Sequence, residues 1–318
     1  MNRMELYLGL DVGSVSVNLV LMDGKCNVLE KLYLRTEGKP IPVLRDGLDR
    51  MCRSMPAGCA IAGVGVTGSG RELANALVDA DVVKNEITAH GMAVLHCVPD
   101  AQTILEIGGQ DSKIILLRNG IVTDFAMNTV CAAGTGSFLD RQAARLNIPI
   151  QEFGNMALQS DSPVRIAGRC AVFAESDMIH KQQMGCSSGD IIKGLCEALV
   201  RNYLNNVGKG KEILPQIVFQ GGVAANAGIK KSFEEVLGQP VLVPEHYDVM
   251  GALGAGILAK METQKGRATH FRGFHAIPED FHAQTFACSG CPNLCEVVEI
   301  TSGGSVRARW GGRCGKWA

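Results

Sequence analysis

The sequence predicts an α/β protein built from two related halves, and three observations support this fold class. Short β-rich runs alternate with amphipathic helical runs along most of the chain. The order strand, glycine- and acid-containing turn, strand occurs at residues 6–22 and again at 103–117, about a hundred residues apart, which indicates an internal duplication. Hydrophobic residues make up 46% of the 318 residues, which is enough for a substantial core and excludes a disordered chain.

The first half opens with a predicted strand at residues 6–12 that runs into a tight turn. Gly13 shapes this turn, Ser14 and Ser16 add hydroxyl groups, and Asp11 adds a carboxylate. Backbone N–H groups and hydroxyls can bind phosphate oxygens, while a carboxylate can hold a hydrated Mg²⁺. The alternative is an ordinary hairpin with glycine at its turn. The other elements predicted here are strands at 15–22, 28–34 and 59–67 and helices at 43–55, 71–78 and 85–97.

The second half repeats the strand-and-turn arrangement and adds a third glycine site. A predicted strand at 103–107 leads into Gly108, Gly109, Gln110 and Asp111. A hairpin follows at 113–125, with Asn119-Gly120 as its turn.

The third glycine site follows a predicted buried strand at 216–220. Gly221, Gly222 and Val223 stand where that strand passes into a helix. Glycine at this position allows the backbone to approach a flat ligand such as adenine or ribose.

Two cysteines stand immediately before helical runs in the second half. Cys131 precedes a small-residue turn and a helix at 137–146, and Cys170 follows Gly168-Arg169 and leads into another helical run. Helix starts favour a thiolate. Two such cysteines form half of a four-thiolate iron–sulfur site, and a symmetric dimer would supply the other half. The alternative is a pair of buried structural cysteines.

The remaining predicted elements of the second half are helices at 149–159, 175–183 and 189–207 and a strand at 241–244. A glycine-containing helix at 248–261 then returns to the first half.

Charge and cysteine content narrow the class of protein. The chain has 31 basic and 32 acidic residues, so nothing in its charge indicates a nucleic-acid or membrane partner. No apolar run approaches the roughly 18 residues of a membrane-spanning helix, and the N-terminus lacks a signal-peptide core, so we expect a cytoplasmic protein. In that compartment twelve cysteines indicate metal, cluster or redox chemistry rather than disulfides.

The three glycine sites occur in the order typical of a known ATPase fold. DVGSVSVNLV resembles the first phosphate loop of the actin–hexokinase–sugar kinase fold, EIGGQDSK its second, and FQGGVAANAG its adenosine segment. With VCAAGTGSFLD and GRCAVFAESD, the chain resembles the ATP-dependent activators of 2-hydroxyacyl-CoA dehydratases and the related ATPase subunits of benzoyl-CoA reductases. The resemblance covers about residues 4–262, and the cysteine motifs are its most specific part.

This resemblance implies two ribonuclease H-like lobes with ATP in the cleft between them. Lobe I would be residues 1–100, completed by the helix at 247–262, and lobe II would be 101–246. A homodimer would hold one [4Fe–4S] cluster through Cys131 and Cys170 of each chain. A reduced ferredoxin or flavodoxin would donate an electron, and ATP hydrolysis would drive its transfer to a dehydratase-like partner that has its own iron–sulfur cluster.

The resemblance also assigns roles around the nucleotide. Asp11 would hold the hydration shell of Mg²⁺, and Gln110 and Asp111 would position the attacking water or the metal. The remaining ATP contacts would come from Gly13, Ser14, Ser16, Gly108, Gly109, Gly221, Gly222 and Val223.

Residues 263–318 extend beyond the activator pattern as a cysteine-rich tail. Cys288, Cys291 and Cys295 are closely spaced, and Cys314 follows near the end. This grouping suits a second iron–sulfur cluster or a structural zinc; the alternative is a reduced, cysteine-rich tail. The ending at Gly-Lys-Trp-Ala indicates either a fragment of a longer activator or a naturally short form.

Two other functions fit parts of the sequence. One is a small-molecule kinase of the same fold, such as an amino-sugar kinase, which has no use for Cys131 and Cys170. The other is a non-catalytic ATP-binding protein whose cysteines bind a metal or a cluster.

Overall fold

The computed structural model describes residues 4–264, 266–278 and 280–317. It divides the chain into two compact units. Unit 1 comprises Met1–Glu86 and Gly251–Ala318, and unit 2 comprises Ile87–Met250. The predicted boundary at residue 100 therefore lies one helix later than the boundary in the structure. The predicted tail is grouped with unit 1.

Unit 1 contains a five-stranded mixed sheet with helices packed against it. The strands run in the order β3-β2-β1-β4-β5, with β1 antiparallel to β2 and parallel to β4. The elements before the chain enters unit 2 are β1 (Met4–Val12), β2 (Ser16–Asp23), β3 (Val28–Arg35), α1 (Pro40–Ser54), β4 (Cys59–Thr67), α2 (Arg71–Val78) and β5 (Val82–Val83).

Unit 2 repeats this sheet. Its strand order is β10-β9-β6-β7-β8, with β6 antiparallel to β7 and parallel to β9. Since both sheets share the same order and directions, the predicted duplication and the α/β fold class are confirmed. The elements are α3 (Glu86–Cys97), β6 (Thr103–Ile107), β7 (Ser112–Arg118), β8 (Ile121–Asn128), α4 (Gly136–Leu146), α5 (Ile150–Leu158), α6 (Ala171–Gln183), α7 (Ser188–Asn206), β9 (Ile217–Gln220), α8 (Ala227–Leu237) and β10 (Val241–Leu242).

Helix α7 forms the centre of the unit 2 core. Ser187 caps its start, because the Ser187 Oγ accepts a hydrogen bond from the Asp190 N–H at 3.1 Å, as the capping-box pattern predicts. Leu195, Leu199 and Tyr203 are fully buried in a single core with residues of the sheet and of α4, α5, α6 and α8. The Tyr203 hydroxyl donates to the Lys113 carbonyl of β7 at 2.6 Å, which joins this helix to the sheet.

Helix α9 (Met250–Thr263) packs very closely on the unit 1 sheet. A Cβ atom at Gly9 would lie 1.8 Å from the Ala252 carbonyl oxygen, and one at Gly65 would lie 2.0 Å from the Ala255 carbonyl oxygen. The strand glycines of β1 and β4 therefore allow this close approach of the helix to the sheet.

The first part of the extension, before its strands, packs against unit 1. Phe274 and Ile277 are buried in the unit 1 core, and Arg272 pairs with Asp79 at 3.1 Å. A three-stranded antiparallel sheet follows, with β12 in the centre. Its strands are β11 (His282–Ala287), β12 (Glu296–Ser302) and β13 (Ser305–Trp310). No helix in the described part of the chain is both long and apolar enough to cross a membrane.

Candidate functional site

The turn between β1 and β2 carries the residues predicted for the first phosphate loop. The Gly13 N–H donates to the Ser16 carbonyl at 2.9 Å, which closes the turn. The Thr36 hydroxyl donates to the Ser14 carbonyl at 2.7 Å and fixes the turn from outside. Ser14 itself is exposed, so its hydroxyl is accessible to a ligand.

Asp11 lies in a row of polar side chains across the unit 1 sheet. Strand register places Asn18 beside it on β2 and Thr67 beside it on β4. The Asn18 Oδ1 and the Thr67 Oγ1 are buried and have no hydrogen-bond partner among the residues that the structure describes. Such buried polar atoms need a partner, and a hydrated cation at the Asp11 carboxylate would supply one. This arrangement fits the predicted Mg²⁺ role of Asp11.

Gly68 leaves room for the Asp11 carboxylate. Its φ is +95°, and a Cβ atom there would lie 2.5 Å from the Asp11 Oδ1. A side chain at this position would strain the backbone and displace the carboxylate. The sequence did not identify this role of Gly68.

The predicted second phosphate loop, Gly108 to Asp111, rests on a charged cluster in unit 2. The Gly108 N–H donates to the Asp111 carbonyl at 3.0 Å and closes the loop, while Gln110 is exposed. The Lys113 ammonium lies 2.9 Å from the Asp111 carboxylate and 3.1 Å from that of Glu106. Lys113 and Glu106 are both buried, and sequence reasoning identified neither.

The Glu106 carboxylate also lies beneath the predicted adenosine loop. Gly221 has a φ of +88°, and its N–H donates to the Tyr247 carbonyl at 2.8 Å. A Cβ atom at Gly221 would lie 2.8 Å from the Glu106 Oε1, and one at Gly108 would lie 3.3 Å from it. The second phosphate loop and the adenosine loop are therefore neighbours, with one carboxylate under both.

A buried histidine lies near the same charged cluster. The His90 Nδ1 lies 2.8 Å from the Gln220 amide nitrogen, and both side chains are buried. Burial, assisted by the positive charge of Lys113, lowers the pKa of His90 to about 3. His90 is therefore neutral near neutral pH and accepts a hydrogen bond from the Gln220 amide through Nδ1.

Both predicted cluster cysteines lie at helix starts in unit 2. Cys131 precedes a short 3-10 turn at Ala132–Gly134 that leads into α4, and Cys170 is the N-cap of α6. Neither is deeply buried. Their partial exposure weighs against the alternative of two buried structural cysteines.

Asn202 of α7 brings the two cysteine segments together. Its amide donates to the Gly168 carbonyl at 2.6 Å and lies 3.7 Å from the Cys131 Sγ. The Cys131 Sγ also lies 4.0 Å from the carbonyl oxygen of Arg169, the residue before Cys170. The sequence did not identify Asn202, a buried polar residue in a helix with a mainly apolar buried face.

The helix that follows Cys131 is attached directly to the second phosphate loop. The Gly136 N–H donates to the Gly108 carbonyl, and the Ser137 N–H donates to the Gly109 carbonyl, both at 2.9 Å. The Ser137 hydroxyl also donates to the Gly109 carbonyl. A Cβ atom at Gly136 would lie 3.1 Å from the Val223 side chain, so the adenosine loop meets the same helix start.

The two helices that begin at the cysteines are also joined by ion pairs. Glu175 of α6 pairs with Arg141 of α4 at 3.2 Å and with Arg145 of α4. Glu175 is the least exposed of the three side chains. These ion pairs connect α4 and α6 in addition to the contacts between the two cysteine segments.

The four tail cysteines all lie near one edge of the small sheet. Trp317 and Gly290 each donate an N–H to the Cys288 sulfur, at 3.2 and 3.4 Å, and these bonds lower the pKa of Cys288. Cys291 and Cys314 are exposed. Within residues 4–264, 266–278 and 280–317, no group of three or more His, Cys, Asp or Glu side chains is arranged to hold a metal ion.

A comparison with protein families decides the identity of the main body of the chain. The sequence profile of the BadF/BadG/BcrA/BcrD ATPase family matches residues 8–259. The chain belongs to this family. It is therefore an ATPase, and the match ends before the cysteine-rich extension.

Named members and relatives of this ATPase family cover most of the chain. The (R)-2-hydroxyglutaryl-CoA dehydratase activating ATPase of Acidaminococcus fermentans is 33% identical over 267 residues, covering 82% of this chain and 100% of that protein. One of the benzoyl-CoA reductase subunits of Thauera aromatica is 30% identical over 190 residues, covering 56% of this chain and 66% of that protein. The solved activator of 2-hydroxyisocaproyl-CoA dehydratase from Clostridium difficile, with bound ADPNP, has a TM-score of 0.73 at 30% identity, covering 82% and 96%.

Proposed function

We propose that this ATPase activates a 2-hydroxyacyl-CoA dehydratase-type or benzoyl-CoA reductase-type partner by delivering a low-potential electron to it. The observation that carries this proposal is that the first residues of α4 bond to the predicted second phosphate loop and directly follow the Cys131 segment. The names of the relatives, which are activating ATPases and a component of a reductase, support the same class of partner.

We assign nucleotide binding to loops in each unit. In unit 1, Asp11 would hold hydrated Mg²⁺, and the Gly13, Ser14 and Ser16 turn would bind phosphate. The orphaned polar atoms of Asn18 and Thr67 beside Asp11 support this assignment.

The unit 2 loops would bind the rest of the nucleotide. Gly108 and Gly109 would contact phosphate oxygens, and Gln110 and Asp111 would orient the attacking water or the metal. Lys113 holds the Asp111 carboxylate in place. The third glycine site, with Gly221, Gly222 and Val223, would contact adenosine.

Cys131 and Cys170 would hold one half of a [4Fe–4S] cluster, and a second copy of the chain would hold the other half. Such a cluster supplies one-electron chemistry at low potential. The chain supplies two accessible sulfurs at helix starts, kept together by Asn202. Exposed apolar side chains stand beside both: Val130 is 94% exposed and Phe173 is 66% exposed. A second copy would cover them.

Nucleotide binding at the second phosphate loop would be coupled to the position of the cysteines through the start of α4. Nucleotide at Gly108 and Gly109 would bias the position of Gly136 and Ser137, which bond to those residues. Because α4 and α6 are joined through Glu175, both helix starts would shift together. A reduced ferredoxin or flavodoxin would be the electron donor.

Anaerobic purification tests the proposal. We expect a brown protein with about four iron atoms per dimer in the shared site, from the ligand count of such clusters. The Cys131→Ala variant should lose this iron and all electron delivery yet bind ADP with unchanged affinity. Cys97→Ala, which changes a cysteine outside the site, is the matched control and should keep the iron.

Two results would overturn the proposal. One is a wild-type protein whose iron content is unaffected by Cys131→Ala. The other is an ATP-dependent phosphorylation of a sugar that persists in Cys131→Ala, which would identify a small-molecule kinase instead.

A further inference from the structure

The strands of the extension bring four cysteines to one edge of a small sheet. Cys288 follows the end of β11, Cys295 precedes the start of β12, and Cys314 follows the end of β13. Cys291 lies in the connection between β11 and β12. Because β12 is antiparallel to both neighbours, the end of β11, the start of β12 and the end of β13 share one edge.

Backbone contacts bring three of these segments close together. The Cys288 N–H donates to the Cys295 carbonyl at 2.8 Å, so these two cysteines oppose each other across the hairpin. After β13 the chain stays against β12, because a Cβ atom at Gly311 would lie 2.4 Å from the Glu296 carbonyl oxygen. The segment with Cys314 then returns to Cys288 through the bond from the Trp317 indole to the Cys288 sulfur at 3.2 Å.

The Cys288 sulfur has the hydrogen-bond environment of a metal-bound thiolate. It accepts N–H groups from Gly290 and from Trp317 and is buried. Hydrogen bonds to cysteine sulfur are a common second layer around thiolate metal centres. Gly290 stands between Cys288 and Cys291, where its N–H can point back at the first sulfur.

The small sheet also has a very small hydrophobic core, which would not be expected to stabilise it without a metal. Most of β11 and β13 is exposed, and Val297 and Ile300 of β12 are its fully buried apolar residues. Modules below about 40 residues usually need disulfides or a metal. All twelve cysteines are free thiols in the structure, so no disulfide supplies this support.

We propose that Cys288, Cys291, Cys295 and Cys314 bind a metal centre through four thiolates, as a single Zn²⁺ or as an iron–sulfur cluster. This centre is separate from the one proposed at Cys131 and Cys170 and lies outside the family match. The exposed side chains of Cys291 and Cys314 turn inward on binding, because thiolate sites of small modules form together with their metal. Each thiol that binds releases its proton.

Metal analysis of the full chain tests this site. The Cys131→Ala background removes iron of the shared cluster, so any remaining metal reports on the extension. We expect one centre per chain in that background and its loss in Cys314→Ser and in Cys291→Ser. Cys97→Ser, an exposed cysteine of α3, is the control and should keep the metal. Loss of zinc identifies the single ion, and loss of iron identifies the cluster.

Tryptophan fluorescence gives an independent readout. The chain has two tryptophans, Trp310 and Trp317, and both belong to the extension. Removing the metal with a chelator should shift the emission in the wild type and leave Cys314→Ser unchanged, while ADP binding is retained in both. Metal content equal in the wild type and the two serine variants would overturn the proposal, as would a disulfide between Cys288 and Cys295 in a metal-free chain.

Discussion

The polar residues buried beneath the unit 2 glycine loops are specific partners for one another. The Lys113 ammonium pairs with the buried Glu106 carboxylate and with the partly exposed Asp111 carboxylate, and the Gln220 amide donates to His90. A buried charge without a partner would cost several kcal/mol. These contacts therefore keep the two loops in a fixed relation, because Glu106 lies under both.

The neutral state of His90 makes stability depend on pH. Its pKa is about 3 in the folded protein and about 6.5 in an unfolded chain. Between these values the unfolded chain binds one more proton, so the free energy of unfolding falls as pH falls from 6.5 towards 3. Relative to His90→Gln, the wild type should lose about 2 kcal/mol more between pH 7 and pH 5. Urea unfolding at both pH values measures this difference.

His96→Gln provides the matched control, because His96 is exposed on the same helix. It should show the pH dependence of the wild type. Equal pH dependence in the wild type and His90→Gln would contradict the assignment of a neutral, buried His90.

The sequence predicted the glycine loops and the cysteines but not the residues that support them. Glycine turns and cysteines before helices are local patterns, so spacing reveals them. The roles of Glu106, Lys113 and Asn202 depend on partners that are distant in sequence or on neighbouring strands. A single polar residue in an apolar run does not indicate which residue it will contact. Gly9 illustrates the same limit, because its role depends on a helix about 240 residues later.

At the scale of elements, the contact between β1 and α9 should tolerate no added methyl group. In Gly9→Ala the new Cβ would lie 1.8 Å from the Ala252 carbonyl oxygen, so the helix must move. We expect a loss of about 3 kcal/mol in the free energy of unfolding, measured with urea. Gly24→Ala, with nothing within 4 Å of the new atom, should change it by less than about 0.5 kcal/mol. Similar values for the two variants would refute this packing.

In the proposed function, helix α4 would join nucleotide binding to the cysteines, and Ser137 tests this role. Ser137→Ala removes the hydroxyl bond to the Gly109 carbonyl but keeps the backbone bond. A bond of about 1 kcal/mol corresponds to about a fivefold change, so ATP-dependent electron delivery should fall about fivefold. Affinity for ADP should change less than about twofold, because Ser137 serves here as a positioning residue.

Ser176→Ala is the matched control for this experiment. Ser176 lies on α6 and donates its hydroxyl to a carbonyl within its own helix, so it has no link to a phosphate loop. Its loss should leave both ADP affinity and electron delivery unchanged. A Ser137→Ala variant with full electron delivery would contradict the proposed coupling through this bond.

At the scale of the whole molecule, the apolar residues beside the cysteines mark the surface that the proposed second copy would cover. Val130 precedes Cys131, and Val172 and Phe173 form the first turn after Cys170. All three are largely exposed in the single chain. Large exposed apolar side chains grouped on one surface are typical of an interface.

Phe173→Glu should therefore separate the dimer and release the shared iron together. A charge buried in an apolar interface without a partner costs several kcal/mol, which is enough to dissociate a dimer at micromolar concentration. Sedimentation velocity should show a monomer, and anaerobic iron analysis of the Cys314→Ser background should show none in the shared site. Val236→Glu alters an exposed valine of α8 away from the cysteines and should remain dimeric. A dimeric Phe173→Glu that keeps its iron would place the interface elsewhere, and the two-fold arrangement of Cys131 and Cys170 would have to be abandoned.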